Sequence, residues 1–150
     1  MANIYYPYKT FIKDVKALVK LTKDFKPDGL LGIARGGLTL THAYAQATEN
    51  RNLFIINSIL YDGEVKRSHP KLLNLPELGC CKQVLILDDI VDSGETLKAV
   101  LRVLQERYPD IDFKSVVLFS KPNALIEPDY FLHETNEWID FFWEKDFMDK

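Results

Sequence analysis

With 150 residues, 47% of them hydrophobic and 27% charged, the chain has the size and composition of one ordinary globular domain, so disordered, collagen-like and low-complexity classes are excluded. Nineteen Lys and Arg against 22 Asp and Glu leave a formal charge of −3, which argues against non-specific nucleic-acid binding but leaves room for a small anion at an electropositive local site. Apolar runs such as Val84–Leu87 and Leu53–Ile56 fall far short of the roughly 20 residues that span a bilayer. Met1–Thr10 lacks a signal-peptide pattern, so the protein is expected to stay in the compartment where it is made, the cytoplasm. Cys80 and Cys81 are neighbours with no second pair, and offer neither a disulfide framework nor a zinc site. His42, His69 and His133 lack ligand-like spacing and read as structural or surface residues.

In chain order, Phe11, Val15, Leu18, Thr22 and Phe25 recur at helical spacing and predict an amphipathic helix, which Lys26-Pro27-Asp28-Gly29 stops. Leu30–Ala34 reads as a buried strand, Arg35-Gly36-Gly37 breaks it, and Leu38–Thr48 reads as a helix. Leu53–Ser58 is a second buried strand. From Tyr61 to Gly79 the periodicity fails, and Gly63, Pro70 and Pro76 among Lys66, Arg67, His69 and Lys71 predict a long functional or mobile loop. Lys82–Leu87 is a third strand, Glu95–Tyr108 a helix, Phe113–Ser120 a fourth strand, and Pro128–Leu132 a short fifth. Strands alternating with helices predict an α/β fold with a mostly parallel twisted sheet flanked by helices, whose ligands sit at the carboxyl ends of the strands. Nothing in the composition divides 1–150 into two domains.

The most informative stretch is Val84-Leu85-Ile86-Leu87-Asp88-Asp89-Ile90-Val91-Asp92-Ser93-Gly94-Glu95-Thr96. Four apolar residues lead to two adjacent carboxylates, then a third, then a small-residue turn opening a helix. The turn has the chemistry of an anion cup: converging backbone N–H groups, a helix N-terminus, and the hydroxyls of Ser93 and Thr96. Adjacent acids at a strand end need a partner, which vicinal sugar hydroxyls or Mg²⁺ would supply. A phosphate cup beside such a pair suits a ribose 5-phosphate; the plainer reading is three Asp residues capping a helix. There is no P-loop and no G-x-G-x-x-G after a strand.

This stretch resembles the phosphoribosyl-pyrophosphate (PRPP) motif of the type I phosphoribosyltransferases. Ala34-Arg35-Gly36-Gly37-Leu38 resembles that family's pyrophosphate loop, and Lys121-Pro122 and Trp138-Ile139-Asp140 resemble the base-binding parts of its bacterial xanthine-guanine branch. The resemblance runs from about Leu30 to Glu144 and implies the type I fold, with a mobile hood loop at Tyr61–Gly79 and a C-terminal base-binding segment. It implies transfer of 5-phosphoribose from PRPP to a 6-oxopurine (xanthine or guanine, with hypoxanthine next), with Mg²⁺ as cofactor and a homodimer or homotetramer as assembly. Asp88, Asp89, Asp92, Ser93, Gly94, Glu95 and Thr96 would bind PRPP, with Asp88 and Asp89 at the ribose hydroxyls and Asp89 nearer the metal. Arg35, Gly36 and Gly37 would meet pyrophosphate, and Lys66, Arg67 and Lys71 would join them on hood closure. Asp92 would accept the purine N7 proton, Lys121 would read the 6-oxo group, Trp138 would stack on the base, and the Ile139 carbonyl would meet the group on C2. Two departures stand out. Glu95 replaces a small residue, and its side chain is expected to point to solvent; Asp140-Phe141-Phe142 replaces a more polar, Pro-containing stretch. The alternatives are a transferase for another base, or a non-catalytic PRPP- or nucleotide-binding regulator of the same fold; the latter class carries a DNA-binding domain or a basic surface, and this chain shows neither.

Overall fold

A computed structural model describes residues 3–62 and 64–149. Its elements in chain order are β1 (Asn3–Tyr6), α1 (Tyr8–Leu21), β2 (Gly29–Ala34), α2 (Leu38–Thr48), β3 (Leu53–Asp62), β4 (Val65–Leu73), β5 (Gln83–Val91), α3 (Glu95–Arg107), β6 (Asp112–Ser120), β7 (Tyr130–Glu134), β8 (Trp138–Phe141) and α4 (Phe142–Lys145). Six strands form one sheet in the order β4-β3-β2-β5-β6-β7. Every pairing in it is parallel except β3 with β4. β1 and β8 form a separate parallel pair.

The central strands are apolar on successive residues because both faces of the sheet are covered. Leu85 and Leu87 of β5 join the cluster under α1 and α2, with Phe11, Leu18, Leu40 and Tyr44. Val84 and Ile86 join the opposite cluster, with Leu97, Val100 and Leu104 of α3. α1 buries Phe11, Val15 and Leu18, the first three residues of the predicted stripe. Thr22 and Phe25 are buried beyond its end, where the Thr22 hydroxyl donates to the Leu18 carbonyl at 2.8 Å. Asp14 of α1 is buried and accepts from the Tyr6 hydroxyl at 2.6 Å. His133 Nε2 lies 2.8 Å from the same carboxylate, a structural use of histidine that ties α1 to β7.

Three expectations need correction. First, Val65–Leu73 is not loop but strand β4, antiparallel to β3. It lies at the sheet edge and is mostly exposed, with Leu72 alone of its leucines half-buried against the α3 cluster, so it shows no clear apolar alternation, and its lysines and proline are edge-strand residues. The ladder shifts register between Ile59 and Tyr61, opposite the stretch holding Pro70, which has no N–H to give. Second, β5 continues past Leu87 to Val91, paired with β6 as far as Val91↔Ser120. Asp88 and Asp89 therefore project from the strand and not from a loop after it. Third, β1 and β8 were not foreseen; each has four residues, too few to show a period.

Candidate active site

The chain leaves β2 for α2 and β3 on one side, and leaves β5 for α3 and β6 on the other. Adjacent parallel strands whose connections diverge open a crevice at their carboxyl ends. Here a cleft of about 410 Å³ lies at that point, and Arg35, Gly36, Asp88, Asp89, Asp92, Ser93, Gly94, Thr96, Trp138 and Ile139 all line it. That volume is within the range of ligand-sized pockets.

At the end of β2 the Ala34–Arg35 peptide bond is cis. The next turn is closed by Gly37 N–H donating to the Ile33 carbonyl at 2.8 Å and Leu38 N–H to the Arg35 carbonyl at 3.1 Å. Gly36 lies against the Asp89 carboxylate so closely that a Cβ there would sit 2.5 Å from Oδ2 and 2.9 Å from Oδ1. The loop after β2 and the acid pair of β5 are thus in contact. Asp88 Oδ1 accepts from the Asp89 N–H at 2.9 Å, and Asp89 Oδ1 accepts from the Ile90 N–H at 2.7 Å. Desolvation, and then the charge of Asp89, push the Asp88 carboxyl well above the ordinary carboxylate range. Asp89, only 6% exposed, is pushed up by burial, while the hydrogen bonds it receives and the nearby indole N–H of Trp143, outside hydrogen-bond geometry, favour its charged form.

The segment after β5 turns at Gly94 into α3. Gly94 has φ +87°, and a Cβ there would also meet the backbone nitrogens of Leu125 and Ile126 at 2.9 and 3.0 Å; glycine supplies both the left-handed backbone and the close approach. α3 begins at Glu95. The Glu95 side chain does not simply enter solvent. It accepts from the Ser93 hydroxyl at 3.1 Å, and the same Oε2 lies 2.8 Å from Lys66 Nζ of β4. The ammonium holds the Glu95 carboxyl below its ordinary range, and the carboxylate raises Lys66 in turn. The expectation failed because β4 was read as loop, so no cation was foreseen beside residue 95.

On the other side of the cleft, Lys121 N–H donates to the Val91 carbonyl at 2.9 Å, which fixes the lysine beside the end of β5. Its Nζ lies 2.6 Å from Asp92 Oδ1 and 5.8 Å from the centre of the Trp138 ring. Trp138 is 48% exposed and Ile139 only 2%, as expected for adjacent strand residues facing opposite ways. Phe141 and Trp143 stack at 4.6 Å, and with Tyr6 and Phe119 belong to the core aromatic cluster. Two contributors were missed. Ser58 of β3 lines the cleft and donates to Thr96 Oγ1 at 3.5 Å. Glu144 of α4 also lines it, its carboxyl raised by partial desolvation and then by the charge of Asp89. Nothing local in the sequence marks either; both depend on which elements the topology brings to the cleft.

Among the described residues no helix is long and apolar enough to cross a membrane. The family described as "Phosphoribosyl transferase domain" matches residues 4–147. Among solved structures, the xanthine-guanine-hypoxanthine phosphoribosyltransferase of Helicobacter pylori superposes with a TM-score of 0.89 at 42% identity, covering 97% of this chain and 96% of that one. A purine phosphoribosyltransferase from Pyrococcus horikoshii Ot3 gives a TM-score of 0.84 at 27% identity over 100% of this chain and 99% of its own. The xanthine-guanine phosphoribosyltransferase of Nitratidesulfovibrio vulgaris (strain DP4) is 31% identical over 137 residues, 89% of this chain and 80% of that protein.

Proposed function

The chain belongs to the phosphoribosyl transferase family, and on that premise we propose that it is a purine-salvage enzyme transferring 5-phosphoribose from PRPP to a 6-oxopurine, with release of pyrophosphate. Xanthine and guanine are its preferred bases and hypoxanthine the next. The observation that carries this reading is the contact of the Asp89 carboxylate with Gly36, because it joins the pyrophosphate loop to the ribose-binding acids. The phosphate cup continues from the same strand.

In this reading the 5-phosphate rests on the backbone N–H groups from Ser93 to Thr96 and on the Ser93 and Thr96 hydroxyls, at the N-terminus of α3. Asp88 and Asp89 face the ribose hydroxyls. Arg35, with Gly36 and Gly37, takes the pyrophosphate, where the guanidinium offers a bidentate fork. Trp138 stacks on the base, and the Ile139 backbone carbonyl meets the substituent on C2. Asp92 and Lys121, 2.6 Å apart, suit the purine edge on which N7 and O6 are neighbours. Lys121 reads the 6-oxo group, and Asp92 accepts the N7 proton as the new bond forms. An amino group at C6, as in adenine, would leave both the ammonium and the donor unsatisfied.

Mg²⁺ fits the residues present. Asp88 and Asp89 offer only oxygen donors, and both carboxyls are pushed up by burial, that of Asp88 also by the charge of Asp89, as expected of a pair lacking positive compensation. Among the described residues no three potential ligands form a cage of their own, so the protein side of the site is one or two carboxylates, as Mg²⁺ uses when substrate oxygens complete its shell. Asp89, with Asp88, would hold the ion; once bound, it supplies positive charge to the departing pyrophosphate. The chain is further read as one domain acting in the cytoplasm as a homodimer or homotetramer. Exposed Leu53, Ile55 and Ile59 on β3 support burial of that face of the sheet against a second copy.

An ultraviolet assay with PRPP and Mg²⁺, run in parallel on guanine, xanthine, hypoxanthine and adenine, tests the reading. Turnover of 6-oxopurines that disappears without Mg²⁺ is expected. Silence with all three 6-oxopurines would overturn it.

A further inference from the structure

The side chains of Glu95 and Lys66 have no part in the function above, and their geometry concerns the phosphate cup directly. The Glu95 carboxylate holds two donors of the kind a phosphate ester would take, the Ser93 hydroxyl at 3.1 Å and the Lys66 ammonium at 2.8 Å. Both converge on one oxygen, Oε2. Lys66 comes from β4 and lines the same cleft as Ser93, Gly94 and Thr96. Its side chain is 46% exposed, so it can turn toward a ligand without breaking a packed core. The hairpin touches the first turn of α3 at a second point, where Ser58 of β3 donates to Thr96 at 3.5 Å.

We propose that Lys66 is a 5-phosphate-binding residue and Glu95 an internal competitor for it, so that the ammonium passes from the Glu95 carboxylate to the 5-phosphate when substrate enters. The exchange is favourable because a phosphate monoester carries up to two negative charges against one on the carboxylate. Glu95 weakens 5-phosphate binding in two ways: the ion pair with Lys66 must be released, and a negative charge stays beside the dianion. The same exchange draws β4 toward the bound ligand. Each partner favours the charged form of the other, so both charges are present at neutral pH. The inference rests on the functional reading only in needing a 5-phosphate in this cup.

The test is a double-mutant cycle of Lys66→Met, Glu95→Gln and the double variant, titrated calorimetrically with ribose 5-phosphate and then assayed for KM of PRPP and of the purine. Glu95→Gln is expected to tighten ribose 5-phosphate about fivefold, and Lys66→Met to weaken it about tenfold, with Lys66→Arg restoring most of the loss. Lys66→Met should cost more in the Glu95→Gln background than in the native chain. The excess measures the released ion pair, up to about fivefold for an exposed pair. KM for PRPP should follow these changes while KM for the base stays put, a split that a general structural defect would not produce. Weaker ribose 5-phosphate binding by Glu95→Gln, a Lys66→Met effect under twofold, or strict additivity would overturn the proposal. If the coupling is found but no 6-oxopurine turns over, the inference stands and the functional reading falls. If purines turn over without the coupling, the reverse holds; if the native chain neither binds ribose 5-phosphate nor turns over, both fall.

Discussion

Replacing Gly36 with Ala isolates the contact on which the functional reading rests. Gly36 lies outside the left-handed backbone region, so alanine meets no conformational barrier. The new Cβ would lie 2.5 Å from Asp89 Oδ2, and ordinary contact begins near 3.4 Å, so the carboxylate must retreat by about 0.9 Å. Asp89 cannot yield easily, because its Oδ1 is tied to the Ile90 N–H at 2.7 Å. A displacement of about 1 Å in a positioning group costs on the order of 10²-fold in rate. Stability should change little: overpacking costs about 1–3 kcal/mol, and the loss of unfolded-state freedom returns about 0.4–1 kcal/mol. The assay is kcat/KM for PRPP at saturating purine, with Tm measured alongside. Gly79→Ala is the control, since a Cβ there meets nothing within 4 Å. The expected result is a loss of about 10²-fold for Gly36→Ala with Tm within about 10 °C of native, and near-native activity for the control. If Gly36→Ala keeps kcat/KM within threefold, Asp89 does not act from the position the structure gives it.

Asp88→Asn keeps an oxygen to accept the Asp89 N–H but cannot ionise. A carboxyl whose folded pKa is raised destabilises the folded state once pH exceeds the unfolded value, and each unit of the raise is worth about 1.4 kcal/mol. The asparagine variant should therefore melt higher than the native chain at pH 8, by about 2–4 °C per kcal/mol, with the gain vanishing as pH falls to about 4; thermal melts across that range that show no gain at pH 8 would refute the cause assigned to the shift. Asp92→Asn should lower kcat about 10²-fold through loss of the proton acceptor, with KM for PRPP little changed, and unchanged turnover with every base would remove Asp92 from the mechanism.

The alternating architecture was legible because buried parallel strands and amphipathic helices write distinct patterns, as Val84–Leu87 and the stripe from Phe11 show. The candidate site was legible for a related reason. Acid pair, hydroxyls and glycine lie within the single stretch Asp88–Thr96, and local chemistry is read from local sequence. What failed to appear was whatever depends on pairing across the chain. β4 is mostly exposed because it lies at the sheet edge; β1 and β8 stabilise each other although Asn3 and its partner Trp138 lie at opposite ends of the chain. The error at Glu95 followed from the same blindness. A carboxylate at a helix start is expected to face water unless a cation is known to be near, and Lys66 comes near only because β4 pairs back along β3.

The strand location of the acid pair changes how the site is to be understood. Carboxylates on a loop could separate to relieve their repulsion; Asp88 is held in register opposite Val117 of β6, and both side chains are pinned to neighbouring backbone N–H groups. The ladder thus keeps two acids together, Asp89 buried and Asp88 half-buried, at a cost in stability, the kind of local conflict folded proteins retain where a ligand resolves it. Glu95 and Lys66 present the opposite design a few residues later, with charges already balanced within the chain and mobile enough to exchange partners. In the proposed reading, a rigid, uncompensated acid pair draws positive charge and hydroxyls to the reacting end of the ligand, while the compensated pair moderates affinity at its phosphate end. In such an arrangement binding strength is concentrated where the bond breaks, and interactions stronger in the transition state than in the ground state are the ones that accelerate the reaction.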